Sequence, residues 1–508
     1  MNTTSALAGM VLLTTLALSI PAIAEETPAA PIEVGSDKQL FIDSLFFESA
    51  SGVRLQVNPA TKTGEQNVVR DRPWESATLN WFSVMEDRGG TLSTPDQPKA
   101  RYRMWYEAYD IEGWPNLDDT SFCYAESADG ITWTKPALDL FSYQGSTKNN
   151  ILFRQIGPEG ARSRVHGSHV FKDPAAPPEQ RYKAVSQGIF EALGTPPYRV
   201  AGMYSPDGLT WTRYPDPICD IFGDSQYSAV WDEGTREYVL FGRVSGRGRA
   251  LGRSTSKDLS FFEPLQLVLQ TDEKDPPESD LYNPAALKYP HAARAWFMFP
   301  SLLNHQTQTL DIRMATSRDG ITWTWPEQSK PYIPLGPEGS FDAGSLYMGQ
   351  GLLRVGDILY QYYGGSPLNH EEGELEALVL PGNSRVMSRV TTRLDGFVSV
   401  EAETGGGAFT TPPLLFQGNL LKLNVHVREG GYLRVGLLDE KGEAIPGRTA
   451  AECEAIAGDQ IDALVLWKDG GDVTARAGKP TRLRIEMDLA SLYAFRFTVG
   501  NAGKERDH

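Results

Sequence analysis

The sequence predicts an all-β chain: a five-bladed β-propeller over residues 38–397, then a C-terminal β-sandwich over 398–500. A turn motif recurs along the first four hundred residues, strand-like runs precede its copies, and the chain is rich in Gly (49), Pro (34) and aromatic residues (10%). That composition favours short strands and tight loops over helical bundles.

The motif stands intact at Ser127, Asp129, Gly130 and Trp133, at Ser205, Asp207, Gly208 and Trp211, and at Ser317, Asp319, Gly320 and Trp323. Degenerate copies fall at Asp258 and at Asp395-Gly396, so successive copies lie roughly 50 to 80 residues apart, longer than a minimal propeller blade. Asp-Gly suits a tight turn: glycine adopts positive φ and the carboxylate caps backbone N–H groups. These aspartates are therefore read as structural, with the tryptophan stapling each turn into a core between sheets. Runs such as Tyr102 to Ala108, Tyr238 to Val244 and Trp296 to Phe299 supply the strands. Sheets of this kind cannot bury both faces alone, and radial packing about an axis does so. After Val398 the alternating runs 421–427, 432–438, 483–487 and 493–499 predict the sandwich, with Gly405, Gly406 and Gly407 inside its first hairpin and a disordered tail at 501–508.

Lys and Arg number 48 against 65 Asp and Glu, a formal charge of −17, which repels phosphate backbones and argues against nucleic-acid partners. Residues 6–20 are nearly all apolar and lead to Ala22-Ile23-Ala24, so residues 1–24 are expected to be a secretory signal and the mature chain to be exported. No later run approaches the ~18 apolar residues of a spanning helix, and no membrane association is expected after cleavage. Cys123, Cys219 and Cys453 make a poor disulfide framework, although a Cys123–Cys219 bridge stays open, and no C-x-x-C pair exists to hold zinc.

In a propeller the innermost strands open toward one end of the axis, where polar residues converge. The predicted openings are Trp74-Glu75, His166, Asp224, Asp280 with Tyr282, and Asp342, so four of the five carry a carboxylate. Like charges gathered in one funnel push their pKa values apart, which is how one site supplies both an acid and a base. Paired carboxyls are the apparatus of glycoside hydrolysis. Arg249, Arg253 and Arg313 are candidate cations beside them, Asp43 is a further acid, and Trp74 and Trp114 are candidates for stacking on a sugar face while the other tryptophans outside the motif are assigned to core. His166 and His169 lie on opposite faces of a strand and are not expected to share a metal; no protein-ligated metal is expected from the residues themselves.

The repeated units, the acids Glu75, Asp224 and Asp280, and the appended sandwich resemble the five-bladed furanosidase-type glycoside hydrolases of families 32, 43, 68 and 117. The order propeller then sandwich is most similar to family 32. The phrases ending in Asp43, Asp224-Ser-Gln, Asp280-Leu-Tyr282 and Tyr363-Gly-Gly365 resemble exported planctomycete-type proteins of the family 32-like group. The resemblance implies Glu75 as nucleophile or base and Asp224 as proton donor; Glu75, Asp224 and Asp280 are expected to share the roles of nucleophile or base, acid and pKa modulator, and the residues read above, Asp43, Trp74, Trp114, His166, Arg253, Tyr282, Arg313 and Asp342, are expected around the sugar. The resemblance implies no required cofactor and leaves room for a calcium ion in the central channel, held by carboxylates of the same ring. The chain departs from family 32 in lacking its W-[ML]-N-D-P-N box and R-D-P triplet, and His166 stands where a second-blade aspartate is expected. The expected function is an exported glycoside hydrolase that removes terminal sugars from poly- or oligosaccharides. A non-catalytic carbohydrate-binding propeller and a purely structural envelope protein are the alternatives.

Overall fold

A computed structural model describes residues 30–87, 101–111, 120–154, 165–190, 193–195, 197–222, 226–371, 377 and 379–500. Its elements are almost all strands, and four antiparallel four-stranded sheets follow one another in a propeller-like arrangement. The first is Thr78–Glu86, Tyr102–Tyr109, Ser121–Ser127 and Ile151–Phe153; the second is His169–Lys172, Tyr182–Ile189, Tyr198–Ser205 and Thr212–Arg213. The third is Ser228–Asp232, Glu237–Gly246, Gly248–Ser256 and Gln266–Leu269; the fourth is Leu287–Lys288, Trp296–Met298, Ala315–Ser317 and Trp323–Thr324.

An eight-stranded sheet continues the series. It joins Ser279–Leu281, Ser301–Asn304 and Thr309–Ile312 to Ser345–Met348, Ile358–Ser366 and Val386–Arg393, and its edge is Thr61–Lys62 from near the chain start. Pro284 and Pro300, which offer no N–H to a ladder, separate its first strands from those of the fourth sheet.

The strands are apolar on both faces because each face meets a different neighbour. Along Tyr102–Tyr109, Met104, Tyr106 and Ala108 enter one core cluster while Trp105 enters another with Val170, Tyr182 and Ala184 of the second sheet. In the third sheet Leu240 packs toward Phe171 and Val185, whereas Val239 and Phe241 pack toward Trp296 and Met298. Hydrogen bonds also link the inner strands. Val170 N–H donates to Ser83 Oγ (3.0 Å), Ala229 N–H to His169 Nδ1 (2.9 Å), Ala286 N–H to Ser228 Oγ (2.9 Å), Ser301 Oγ–H to the Leu346 carbonyl (2.8 Å) and Gln350 N–H to the Phe82 carbonyl (2.9 Å). Burial takes the His169 pKa down to about 3, so a neutral ring serves as acceptor.

The Asp-Gly turns have the geometry the sequence predicts. Asp207 Oδ1 accepts from Leu209 and Thr210 N–H (both 2.8 Å), Ser205 Oγ accepts from Gly208 N–H (2.8 Å), and Gly208 has φ +76°. The same bonds recur at Asp129 and Asp319. Trp211 and Trp323 are buried behind their turns.

At the C-terminal end Leu420–Leu438 and Arg482–Thr498 pair antiparallel, from Leu420 opposite Thr498 to Leu438 opposite Arg482. Val398–Ala402 and Gly407–Thr410 lie end to end along the other edge of Arg482–Thr498. Gly405 to Gly407 therefore joins two strands that share an edge, where the sequence had suggested a hairpin. Ser49–Ser51 and Arg54–Val57, inside the range predicted for the propeller, pair with Gly407–Thr410 and Val398–Ala402, and Gln39–Leu40 pairs with Phe495 and Ala494. Phe41, Phe46, Phe409 and Phe495 pack edge to face there. All three cysteines are free and buried, so the Cys123–Cys219 bridge is not formed. Among the described residues no helix is long and apolar enough to cross a membrane.

Candidate functional site

The openings of the inner strands and the ends of the strands beside them bring one set of side chains together. Trp81 belongs to the first strand of the first sheet, and its ring lies edge-on to His166 (6.2 Å between centroids) and to Tyr347 (5.1 Å). Tyr347 meets Tyr282 at 5.9 Å, and Tyr282 meets His370 at 5.4 Å, with its hydroxyl 3.2 Å from His370 Nε2. Two guanidinium groups cover these rings, Arg249 over Tyr282 at 5.2 Å and Arg385 over Tyr347 at 4.5 Å.

Asp280 anchors one side of this mouth. Its Oδ1 accepts from the Arg249 backbone N–H (3.0 Å), and its Oδ2 from Arg249 Nη1 (2.8 Å) and His305 Nε2 (2.9 Å). Burial alone would raise its pKa; the bonds from His305 and Arg249 outweigh that and hold the carboxyl below its usual range, so it is ionised at neutral pH. The carboxylate lies against the backbone of Gly248, where a Cβ would fall 1.8 Å from Oδ1. A cleft of about 510 Å³ opens beside it, lined by Arg247, Gly248, Glu278, Ser279, Asp280 and His305.

Glu107 anchors the other side, at the end of Tyr102–Tyr109. It is wholly buried; Oε1 accepts from Ser168 N–H and Oγ–H (both 2.9 Å), and Oε2 has no hydrogen bond among the described residues but lies 3.5 Å from His166 Nδ1. The same Nδ1 is 2.9 Å from the Tyr109 hydroxyl. A carboxylate behind an imidazole edge, with a phenol beside it, can hold a proton at Nδ1 and stabilise a charged ring.

Of the residues singled out in the sequence, Asp280, Tyr282, His166 and Arg249 meet here. Glu75 does not. It ends the short 3-10 turn Pro73–Glu75 and points into the interior, where Oε1 accepts from Tyr106 (2.6 Å) and Oε2 from Lys135 Nζ (2.7 Å) and Asp71 N–H (3.0 Å). Trp74 is core, donating to Asn150 Oδ1 (3.0 Å), and so presents no face to a sugar. Asp342 binds Lys62 (2.6 Å) and Tyr363 (2.7 Å), fastening the edge strand Thr61–Lys62. Asp43 caps Ser44–Phe46 and takes two bonds from Arg318 (2.8 and 3.0 Å), which ties the chain start to the Asp319 turn. Arg313 pairs with Asp311 (2.5 Å), and Arg253 is four residues beyond Arg249, roughly 13 Å along the strand. Trp114 and Asp224 lie outside the described residues.

Trp81, Glu107, Tyr109, His305, Tyr347, His370 and Arg385 were missed as a site. Glu107, Tyr109 and His305 sit at the far ends of runs whose other residues are core, Trp81 and Tyr347 lie within inner strands and read as core, and Arg385 and His370 lie outside the strands, so a search confined to strand openings passes over them.

The resemblance leaves room for a calcium ion in the channel, but the described residues, which exclude Asp224, do not suit one. The links between inner strands use Ser83, His169, Ser228, Ser301 and Gln350, none of them a carboxylate, and among the described residues no group of three His, Cys, Asp or Glu is placed to hold a metal.

Fold and site together define an all-β, propeller-like protein in which aromatic and cationic side chains cluster beside a cleft at Asp280. No family model matches the chain, and no curated protein does. Among solved structures it is similar to a putative glycoside hydrolase from Bacteroides ovatus (17% identity, covering 66% of this chain and 97% of that one, TM-score 0.42). It is also similar to an N-acetylgalactosamine deacetylase from F. plautii in complex with blood group B trisaccharide (16%, 68% and 96%, TM-score 0.41) and to a protein described as a glycoside hydrolase (13%, 65% and 92%, TM-score 0.46).

Proposed function

We propose that the protein is an exported, carbohydrate-active enzyme of the glycoside hydrolase class, acting on terminal sugars of poly- or oligosaccharides at the mouth of a five-bladed propeller. The observation that carries this reading is the meeting of Trp81, Tyr282 and Tyr347 with Arg249, Asp280, His166 and Glu107. The half-buried Tyr282 can pack on the apolar face of a sugar ring, with the buried Trp81 and Tyr347 holding it in place, and charged side chains fix hydroxyl groups. Asp280, ionised at neutral pH, suits the carboxylate that faces positive charge developing at the anomeric carbon. Glu107, Tyr109 and His166 form the proton-holding couple, centred on His166 Nδ1. Asp224 keeps the proton-donor role that the resemblance implies. Glu75 is given no role at the site, because its carboxylate is satisfied in the interior.

The fifth blade in this reading is Ser345–Met348, Ile358–Ser366 and Val386–Arg393, completed by Thr61–Lys62; the bond from Gln350 N–H to the Phe82 carbonyl supports ring closure. The C-terminal unit is read as a sandwich of residues 30–57 with 398–500, and the propeller-plus-sandwich order keeps the family 32-like assignment. Residues 1–24 serve as the export signal, and neither nucleic acid nor membrane is a partner.

One observation favours the binding-only alternative. Asp280 already accepts three hydrogen bonds from Arg249 and His305, which weakens it as a nucleophile or base. The test is release of reducing sugar from a panel of plant and algal polysaccharides by the wild type and by Asp280→Asn, beside binding of the same panel. Turnover lost in Asp280→Asn supports the enzyme; binding without turnover in the wild type gives the alternative; neither binding nor turnover refutes both.

A further inference from the structure

The protein carries a formal charge of −17, yet Arg249, Arg385, His305 and His370 gather at its mouth. The acids there are engaged: Asp280 by Arg249 and His305, Glu107 by Ser168 and His166. Arg385 is different. One of its amino groups donates to Asn80 Oδ1, a neutral acceptor, its Nε is buried with no partner, and its plane lies 4.5 Å from the centre of Tyr347. Among the described residues no carboxylate pairs with it.

The fold makes room for this arginine. It directly precedes Val386–Arg393, and its stem crosses Gly364 of the neighbouring strand, where a Cβ would fall 3.0 Å from Arg385 Cδ. Tyr347 and Asn80, both nearly buried, fix the guanidinium from below and from one side. Burial lowers the Arg385 pKa, yet an arginine stays cationic at neutral pH. Among the described residues its attraction to a carboxylate comes from Glu107, with which it makes no ion pair, and a half-buried cation so placed is costly in the free protein and is relieved when an oxyanion arrives. A guanidinium fork matches carboxylate and sulfate oxygens in pairs.

We propose that Arg385 is the specificity-determining residue for an anionic sugar, one that carries a carboxylate, as in a uronic acid, or a sulfate ester. This rests on the carbohydrate reading above and narrows its substrate class. In the bound complex the oxyanion lies against the outer edge of Arg385, and the ring carrying it packs beside Tyr282 and Trp81.

Isothermal titration tests this with four probes: an oligogalacturonide, its carboxyl-reduced form, a sulfated galactan oligosaccharide, and its desulfated form. The wild type is expected to bind one charged probe at least about tenfold more tightly than its uncharged counterpart, the scale of one charge-assisted contact. Arg385→Gln is expected to abolish that preference with little loss of affinity for the neutral form. Which charged probe wins separates carboxylate from sulfate. Equal binding of charged and neutral forms by the wild type overturns the inference and leaves the carbohydrate reading standing, and this comparison needs no variant to fold. A preference that persists in a folded Arg385→Gln overturns the assignment to this residue. Failure to bind any of the four, together with silence across the wider polysaccharide panel, removes the carbohydrate reading itself.

Discussion

Replacing Gly248 by alanine separates backbone strain from damage to the mouth. Gly248 has φ +72°, and a Cβ there would fall 1.8 Å from Asp280 Oδ1. Gly356 has nearly the same backbone, φ +63°, with nothing within 4 Å of its would-be Cβ. Left-handed backbone costs an L-residue roughly 1–2 kcal/mol, so Gly356→Ala should lose about that much. Gly248→Ala must in addition push Asp280 Oδ1 off the Arg249 backbone N–H, and a hydrogen bond to a charged group contributes about 1.5–3 kcal/mol. The expected losses are therefore about 1–2 kcal/mol for Gly356→Ala and about 2.5–5 kcal/mol for Gly248→Ala. Urea unfolding of both variants reads the difference as a shift in midpoint at constant slope. Glycan affinity should fall in Gly248→Ala alone. Equal midpoints for the two alanines, with unaltered binding, would refute the seating of Asp280 against Gly248 and with it the geometry of the mouth.

Asp207→Ala removes an acceptor from two backbone N–H groups and should cost about 1–2 kcal/mol by the same assay, while turnover per folded molecule is unchanged; lost turnover at full stability would mark the turn as part of the site. Glu75→Gln removes one of the two carboxylates that hold Lys135, which keeps Asp71 (2.6 Å), and should cost about 1–3 kcal/mol, so an unaltered melting temperature would count against the interior placement of that carboxylate. Asp129, Asp207, Asp280, Asp319 and Asp342 all have folded pKa values below the ordinary one, burial being outweighed by the bonds they accept. Their stabilisation is complete above the unfolded aspartate value of about 3.9 and is lost as pH falls through the folded values, so melting temperature should drop steeply below about pH 4. Glu126 and Asp311, raised by burial, act in the opposite sense and blunt the drop; a flat profile down to about pH 3 would contradict the balance.

What was legible in the sequence was local. Asp129, Asp207 and Asp319 bond within three residues of themselves, so their chemistry is written in the motif. Asp280, Tyr282 and His166 were reached by position at strand openings. Glu75 and Asp342 hold the same kind of position, yet Lys135 and Lys62 turn them inward. Those lysines are 60 and 280 residues away in sequence, and nothing local announces them. Glu107 and Arg385 were hidden by the reverse effect, since each adjoins a run that otherwise builds core. The pairing of 54–57 with 398–401 could not be read from the sequence, because the two segments meet only in three dimensions.

That last pairing sets an order of events during synthesis. Thr61–Lys62 completes its sheet only against Val390 and Thr391, and Gln39–Leu40 is held by Ala494 and Phe495, far later in the sequence. These strands leave the ribosome long before their partners do. Until then the leading segment is an unpaired strand edge, open to chaperones and proteases and to pairing with neighbouring chains. Contacts spanning so much sequence slow folding, and strands made early are fastened only when their distant partners arrive.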